Sequence, residues 1–200
     1  PDAQNFHFSG SSYTEIYSQL FENRSGSSVI EGNDTINAGL GDDEIYAGGG
    51  DDTVSAGAGN DIVESGSGDD TIDGGEGNNT LYGEGGNDQI TAGAGNDKIY
   101  GGDGNDTLYA DSGDDKVYGG AGDDVIIQSG SGSQHYDGES GVDTLRLDVS
   151  SGWTTLNSSY PKSIEMDMVK GEIGQTNNPN KRDTFTGIEN ITFIGNTVYS

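Results

Sequence analysis

Aliphatic residues recur every nine positions through the middle of the chain, and each is surrounded by small or polar residues. The series runs without an insertion through Ile36, Ile45, Val54, Val63, Ile72, Leu81, Ile90, Ile99, Leu108, Val117 and Ile126. The residue before each is often Thr and the residue after it often Tyr, so the local alternation has a period of two. This alternation predicts a very short β-strand with one side chain inward and two outward.

Glycine occupies a second fixed phase of the same nine-residue unit. A Gly lies four residues before each aliphatic residue, and another Gly usually lies two residues before that one. Because glycine accepts positive φ freely, this half of the unit predicts a turn. A strand and a turn in nine residues make half a coil, so eighteen residues make one coil. We therefore predict an all-β fold, a β-solenoid whose stacked coils form two parallel sheets with the aliphatic residues between them.

An acidic residue occupies the third fixed phase, two residues after the turn glycine. Because units alternate between the two sides of a coil, these residues form two columns. The first holds Asp34, Asp52, Asp70, Asp88, Asp106 and Asp124, and the second holds Asp43, Asp61, Asn79, Asp97 and Asp115. Neighbouring carboxylates at the strand spacing of about 4.8 Å repel by roughly 0.9 kcal/mol even in water. The columns therefore require a cation.

The composition supports a fold that depends on cations. The chain of 200 residues has 36 Gly, 35 Asp plus Glu and 8 Lys plus Arg, with a net charge of -27 and 29% hydrophobic residues. Low hydrophobicity with high net charge is typical of disordered chains. An acidic surface argues against nucleic acid and anionic membranes as partners, and no apolar run is long enough to span a bilayer. The absence of Cys excludes disulfides and thiolate metal sites.

Calcium is the ion that the available ligands favour. The ligands are all oxygens, and Ca²⁺ accepts six to eight of them in flexible geometry, whereas Mg²⁺ prefers a strict octahedron. The predicted side-chain ligands are the members of the two columns together with Asp143. Turn carbonyls would complete the sites, for example those of Gly39, Gly41, Gly48, Gly50, Gly57, Gly59, Gly66, Gly68, Gly75, Gly77, Gly93, Gly95, Gly102, Gly104, Gly120 and Gly122. We expect roughly one ion per repeat turn, and weaker sites beside Asn79, which carries one less charge.

The repeat resembles a known family. The segments "GGDGNDTLY" and "GGAGDDVII" are similar to the repeats-in-toxin (RTX) nonapeptide, G-G-x-G-x-D-x-aliphatic-x, from Gly32 to about Ile127. This resemblance implies a parallel β-roll with Ca²⁺ in each turn, in a protein exported unfolded by the type I secretion machinery. Such a module folds outside the cell, where binding energy becomes folding energy.

The flanks suggest three regions: residues 1–31, the β-roll at 32–130, and degenerate repeats with a capping segment at 131–200. After Ile127 the phase slips by one, and Gln134 stands where Asp is expected. The segments "DGESGVDTL" and "TFTGIENI" resemble the flanks of repeat blocks in large RTX toxins and adhesins. The predicted core of the cap is Trp153, Leu156, Ile164, Met166, Met168, Phe185, Ile188, Ile191 and Phe193.

The first region predicts less. The segment "NFHF" is compatible with a strand, and Tyr13, Ile16, Tyr17 and Leu20 would share one helical face, as an N-terminal cap or the tail of a preceding domain. Because the chain starts at Pro1 rather than Met, we expect it to be a piece of a longer protein.

Two functions fit these observations. The first is a calcium-binding module of a secreted toxin or adhesin, which folds on Ca²⁺ after type I secretion and serves as a scaffold. The alternative is a non-catalytic module of a secreted enzyme, such as an alginate epimerase, lipase or metalloprotease, assisting folding and substrate binding. No catalytic residues are predicted, because the two histidines, His7 and His135, have no legible partners.

Two surface rows invite a binding role. Tyr46, Tyr82, Tyr100 and Tyr118 should line one sheet, broken by Glu64, either as stabilising cross-strand stacks or as a platform for a sugar or peptide. Thr35, Thr53, Thr71 and Thr107 should line the other sheet. Ice binding by that row is disfavoured, because the known RTX ice binders place Thr-Gly-Asn in the turn and no Thr precedes the turn glycine in these repeats.

Overall fold

The structure is a computed structural model that describes residues 5–7, 32–148, 164–167, 172–175 and 182–194. In these segments every regular element is a β-strand. Within them, no helix has the length and apolar character needed to cross a membrane. The predicted helical face at Tyr13 to Leu20, and the predicted core residues Trp153, Leu156 and Met168, lie outside the described residues. For Ile164 and Met166 only the backbone is described.

The strands follow one another at short intervals along the chain. They are β1 (Asn5–His7), β2 (Thr35–Leu40), β3 (Glu44–Gly49), β4 (Thr53–Ala58), β5 (Ile62–Ser67), β6 (Thr71–Glu76), β7 (Thr80–Gly85), β8 (Gln89–Thr91), β9 (Lys98–Asp103), β10 (Thr107–Tyr109), β11 (Lys116–Ala121), β12 (Val125–Gln128), β13 (His135–Ser140), β14 (Thr144–Asp148), β15 (Ile164–Asp167), β16 (Glu172–Gln175), β17 (Arg182–Thr186) and β18 (Asn190–Ile194). Strand β1 coincides with the short strand predicted at "NFHF".

The strands form two nine-stranded sheets. Sheet A has the order β1-β2-β4-β6-β8-β10-β12-β14-β18, and sheet B has the order β15-β16-β17-β13-β11-β9-β7-β5-β3. Within the repeats, parallel neighbours pair residues eighteen positions apart, as in Thr35 with Thr53 and Ile45 with Val63. After the predicted slip the offset becomes nineteen, as in Lys116 with His135. The predicted all-β parallel solenoid with eighteen residues per coil is therefore confirmed.

The core lies between the two sheets and has two inward positions per unit. The repeating aliphatic side chains are at most 1% exposed. Two residues further on, a second set of small residues is also buried, among them Ala38, Ala47, Ala56, Ala92 and Ala110. The prediction of one inward side chain per strand was wrong, because most strands in the repeats extend over six residues and positions i and i+2 face the same side.

Glycine predominates at the stacked position of sheet B that Gly66 occupies, and Glu84 and Glu139 stand at the same position in two other coils. Gly66 has φ +105°, and a Cβ there would lie 1.8 Å from the carbonyl oxygen of Gly48 in the preceding coil. Both the left-handed backbone and the missing space therefore disfavour a side chain at Gly66. Two non-glycine residues adopt similar dihedrals within the described segments, Glu84 at φ 69° and Glu139 at φ 63°.

The C-terminal strands continue the solenoid and then close one sheet. Strand β17 pairs in parallel with β13, β18 pairs in parallel with β14, and β16 and β15 add antiparallel strands beyond β17. Phe185 is buried, and Ile188 and Ile191 pack against the same core, as predicted. The prediction for Phe193 was wrong: the side chain is 45% exposed, because β18 is the outermost described strand of sheet A.

Candidate metal centre

The acidic residue of each unit sits at the point where a turn enters a strand. Its side chain turns into the space between stacked turns, where it is at most 3% exposed, although its neighbours in sequence face solvent. The buried set comprises Asp34, Asp43, Asp52, Asp61, Asp70, Asn79, Asp88, Asp97, Asp106, Asp115, Asp124 and Asp143. The turns on the two edges of the solenoid thus place these side chains in the two predicted columns.

A ladder of hydrogen bonds connects the members of each column. The backbone N–H of Asp88 donates to Oδ1 of Asp106 at 2.8 Å, and the N–H of Asp106 donates to Oδ1 of Asp124 at 2.8 Å. The second column repeats the pattern, with Asp97 N–H donating to Asp115 Oδ1 at 2.9 Å. We call this the inner ladder. It uses one oxygen of each carboxylate and fixes the direction in which the other oxygen points.

The second carboxylate oxygen is buried and lacks a hydrogen-bond partner among the described residues. This holds for Oδ2 of Asp52, Asp61, Asp70, Asp88, Asp97, Asp106, Asp115, Asp124 and Asp143. Such an atom is costly to bury, because it has lost its hydration without compensation. A row of these oxygens at both edges of the fold suits a positively charged partner.

The raised pKa values of the column carboxylates also favour a positively charged partner. Burial, together with repulsion from neighbouring acids, raises the pKa of Asp88 and Asp124 to about 7, although a backbone N–H that donates to each carboxylate opposes the shift. Burial likewise raises the pKa of Asp115 to about 7 and that of Asp52 and Asp61 to about 6. Without a cation, the ionised form of these groups is disfavoured in the fold.

In the later half of the first column, a carboxylate oxygen of one coil and a strand carbonyl oxygen of the next coil approach the same point. Asp88 Oδ2 and the carbonyl oxygen of Gly101, one coil further on, lie 2.3 Å and 2.5 Å from the place that a Cβ would take on Gly83. At the next level, Asp106 Oδ2 and the carbonyl oxygen of Gly119 each lie 2.3 Å from the place that a Cβ would take on Gly101. A carboxylate oxygen and a carbonyl oxygen that approach the same point form an all-oxygen donor set, which suits Ca²⁺.

Backbone carbonyls must supply part of any such site. In the part of the chain that the structure describes, no three His, Asp or Glu side chains converge closely enough to hold an ion by themselves. The glycines predicted as carbonyl donors line both edges, where the oxygens of Gly39, Gly48 and Gly57 approach the glycines of the next coil. The carbonyls of Gly101 and Gly119, which approach the same points as Oδ2 of Asp88 and Asp106, were not predicted. The first glycine of the G-G-x-G motif is the signal that marks them.

Asn79 breaks the chemistry of the second column. Its Oδ1 accepts from the N–H of Asp61 at 2.9 Å, and its own N–H donates to Asp97 Oδ1 at 2.7 Å, so the inner ladder continues through it. Its Nδ2 is buried without a partner among the described residues. Because a nitrogen cannot replace the accepting oxygen of the ladder, the amide must present a donor where its neighbours present an oxygen.

Two acidic residues near the C-terminus extend the columns beyond the predicted set. Glu189 Oε2 accepts from the N–H of Asp143 at 2.8 Å, and Asp183 Oδ1 accepts from the N–H of Gln134 at 3.0 Å. Sequence reasoning missed both, because residues 149–181 interrupt the period. The spacing of acid, any residue and apolar residue is retained in Asp183-Thr184-Phe185 and Glu189-Asn190-Ile191, and this spacing could have revealed them.

A second ladder lies on the outside of the same turns. The residue before each buried acid is an exposed Asn or Asp in most units, and its Oδ1 accepts from the N–H of its counterpart in the following coil. For example, Asp69 N–H donates to Asp51 Oδ1 at 3.0 Å, and Asn87 N–H donates to Asp69 Oδ1 at 2.7 Å. This outer ladder runs opposite to the inner ladder, so the turn amides are held in both directions along the solenoid.

Comparison with known families agrees with this geometry. Residues 30–63, 64–99 and 91–126 match the family model of the RTX calcium-binding nonapeptide repeat, which contains 4 copies of the repeat. No curated protein matches the chain. The matched segments contain both columns from Asp34 to Asp124, and Asp143, Asp183 and Glu189 lie beyond them.

Proposed function

We propose that this chain, whose residues 30–126 are RTX calcium-binding nonapeptide repeats, is a module that folds when it binds Ca²⁺ and then serves as a rigid scaffold in a secreted protein. RTX repeats form a calcium-binding structural module rather than a catalytic one, and they are typical of secreted proteins. The proposal adds the coupling between ion binding and folding, the residues that bind the ions, and the setting in which the switch works.

The observation that carries the proposal is the row of buried Oδ2 atoms without hydrogen-bond partners. In the unfolded chain these carboxylates are hydrated and far apart, whereas in the fold they are stacked and desolvated. A cation that binds only the folded arrangement therefore stabilises folding by its binding free energy. The Asp residues of the two columns would bind the ions through Oδ2, and the turn carbonyls would complete the coordination.

Calcium is favoured over magnesium by the same features. The donors are carboxylate and carbonyl oxygens held by two stacked turns, and each turn is fixed by backbone hydrogen bonds to the next coil, such as Gly104 N–H to Ala121 O at 2.7 Å. Such a frame cannot contract around a small ion that requires near-ideal octahedral geometry, but it suits the longer and more variable Ca–O distances.

The setting we propose is export by a type I secretion system as part of a toxin or adhesin. The net charge of -27 keeps the chain soluble and extended where calcium is scarce. Extracellular calcium would then neutralise the columns and lock the two sheets together. The resemblance of "DGESGVDTL" and "TFTGIENI" to the flanks of RTX toxins and adhesins favours such a parent over a secreted enzyme.

The test is calcium titration followed by far-UV circular dichroism. In chelator at neutral pH we expect the spectrum of an unfolded chain, and with Ca²⁺ a β-rich spectrum that the same concentration of Mg²⁺ does not produce. Asp106→Asn should shift the calcium midpoint upward, because it replaces a buried oxygen by a nitrogen. Asp103→Asn, the same change at an exposed residue three positions earlier, is the matched control.

Two outcomes would contradict the proposal. A chain that is already β-rich in chelator at neutral pH would show that folding does not depend on the ion. Equal midpoints for the Asp106 and Asp103 variants would show that the buried columns are not the binding sites.

A further inference from the structure

The outward face of sheet B carries the only basic residues of the repeat region. Lys98 on β9 and Lys116 on β11 are exposed and occupy directly paired positions on adjacent strands, and His135 on β13 is the next residue of the same row. We call these three residues the basic row. The chain as a whole has 35 acidic and only 8 basic residues.

The pairing of the two lysines on adjacent strands does not stabilise the sheet. Like charges directly opposite each other on neighbouring strands are destabilising. Within the described residues, neither lysine forms an ion pair with a carboxylate, although acids are abundant in the chain. Both ammonium groups are therefore available to an external anion.

Stacked tyrosines run beside the basic row on the same face. The rings of Tyr82 and Tyr100 stack at 4.8 Å with 8° between their planes, and those of Tyr100 and Tyr118 at 4.9 Å with 7°. The ring of His135 meets Tyr118 edge-on at 6.1 Å. We call the three tyrosines the Tyr ladder. Because the rings stack face to face, a sugar cannot stack on the middle ring. The ladder can therefore contact a ligand through its ring edges and hydroxyl groups.

The charge of the face limits how long the binding strip can be. Glu64 pairs with Tyr82 at one end of the ladder, and Asp137 pairs with Tyr118 at the other. The carboxylate columns lie at the turns, away from the sheet face, and bound Ca²⁺ would neutralise them. The face is then positive at Lys98 and Lys116 and acidic at both ends, and Glu84, Asp103 and Glu139 lie beyond the tyrosines on the side away from the lysines.

We propose that the basic row and the Tyr ladder bind an anionic polysaccharide laid along the solenoid axis. The backbone groups of the face are engaged in sheet pairing, so it offers an extended polymer side-chain contacts only. Cations repeated at the strand spacing of about 4.8 Å match a ligand with repeated carboxylate or sulfate groups. Phenol groups beside them can hydrogen-bond sugar hydroxyls. The acidic ends disfavour a polymer as densely charged as nucleic acid.

The test is binding of short, defined oligosaccharides to the calcium-loaded full chain by isothermal titration calorimetry. The probes are an oligogalacturonate for carboxylate, a heparin-derived oligosaccharide for sulfate, and a neutral dextran oligomer of similar length. Binding of either anionic probe, with none of the neutral one, supports the inference and identifies the charged group. Its affinity should fall as salt rises, because exposed charges are screened.

Charge-removing variants connect the binding to the strip. Lys98→Gln together with Lys116→Gln should weaken binding by about 2- to 30-fold, from two exposed ion pairs. Lys116→Gln alone should weaken it more than Arg146→Gln, a matched loss of one exposed charge on the opposite sheet.

The inference rests on the proposed function because the strip exists only in the folded module, and the two can fail separately. If circular dichroism shows that calcium does not fold the chain, the proposed function is wrong. If the chain folds and no anionic probe binds, or the double lysine variant binds unchanged with a normal calcium midpoint, the polysaccharide site is wrong.

Discussion

Replacing Asn79 by Asp is expected to tighten calcium-induced folding. In the second column, Asn79 holds the inner ladder with Oδ1 and turns Nδ2 toward the position where the neighbouring aspartates present Oδ2. The substitution therefore adds a ligand oxygen as well as a negative charge. The sequence alone suggested only the missing charge, whereas the ladder shows that a ligand is missing too.

The size of the effect follows from three charge interactions. A carboxylate at a Ca–O distance of about 2.4 Å attracts the ion by about 3.5 kcal/mol at the dielectric constant of water. The new charge is also repelled by Asp61 and Asp97, each one coil away at about 4.8 Å, by about 0.9 kcal/mol apiece. The difference of about 1.7 kcal/mol corresponds to a gain of roughly 15- to 20-fold in affinity at the affected site.

The assay is calcium titration by circular dichroism, with calorimetry to count the ions bound. Asn79→Asp should lower the calcium midpoint and increase the number of ions bound. Asn78→Asp adds the same charge one residue earlier, on the exposed outer ladder, where Asp already occurs at Asp51 and Asp69. The reasoning is refuted if Asn79→Asp leaves midpoint and stoichiometry unchanged, or if Asn78→Asp produces an equal shift.

Two further predictions concern the metal-free chain and the stacked glycines. Because burial raises the pKa of Asp88, Asp115 and Asp124 to about 7, these groups take up protons on folding, so the metal-free fold is most stable below about pH 4 and loses that stability as the pH rises from about 4 to about 7. Circular dichroism in chelator should show more β-structure at pH 5 than at pH 8, and equal spectra would contradict the assigned shifts. Gly66→Ala should lower the melting temperature of the calcium-loaded protein by about 5 °C or more, because it combines a positive φ with a Cβ 1.8 Å from Gly48 O. Gly85→Ala, where no atom lies within 4 Å of the added Cβ and φ is unrestricted, should change it by about 2 °C at most, and similar losses in both variants would refute the stacking argument.

The repeat region was predictable because a single period determines both the fold and the site. Once Ile36, Ile45 and Val54 are recognised as equivalent, eighteen residues per coil and two carboxylate columns follow from strand geometry. The tyrosine and threonine rows also followed, since Tyr100 pairs with Tyr118 and Thr35 with Thr53 in the register that the period requires. In a solenoid, one sequence period sets both the alternation along each strand and the pairing between strands of successive coils, so the sequence predicts both.

The remaining features depend on distances that a sequence does not contain. The period does not determine which coil's carboxylate accepts from a given backbone amide. The opposite directions of the two ladders are therefore visible only in the structure. Asp183 and Glu189 were missed because the chain returns to the stack only after residues 149–181. Phe193 is hydrophobic and alternates correctly with Ile191, yet its exposure depends on whether another strand follows, which no local pattern determines.

Because both ladders repeat once per coil and run in opposite directions, the length of the solenoid can change only by whole coils. Removing or inserting eighteen residues takes out or adds one step of about 4.8 Å and leaves every donor of both ladders opposite an acceptor of the same kind. A change of nine residues exchanges the two edges instead, so the tyrosine row of one sheet would continue as the threonine row of the other. A protein of this construction can therefore vary its reach only in whole steps, and its reach can be read from the number of its repeats.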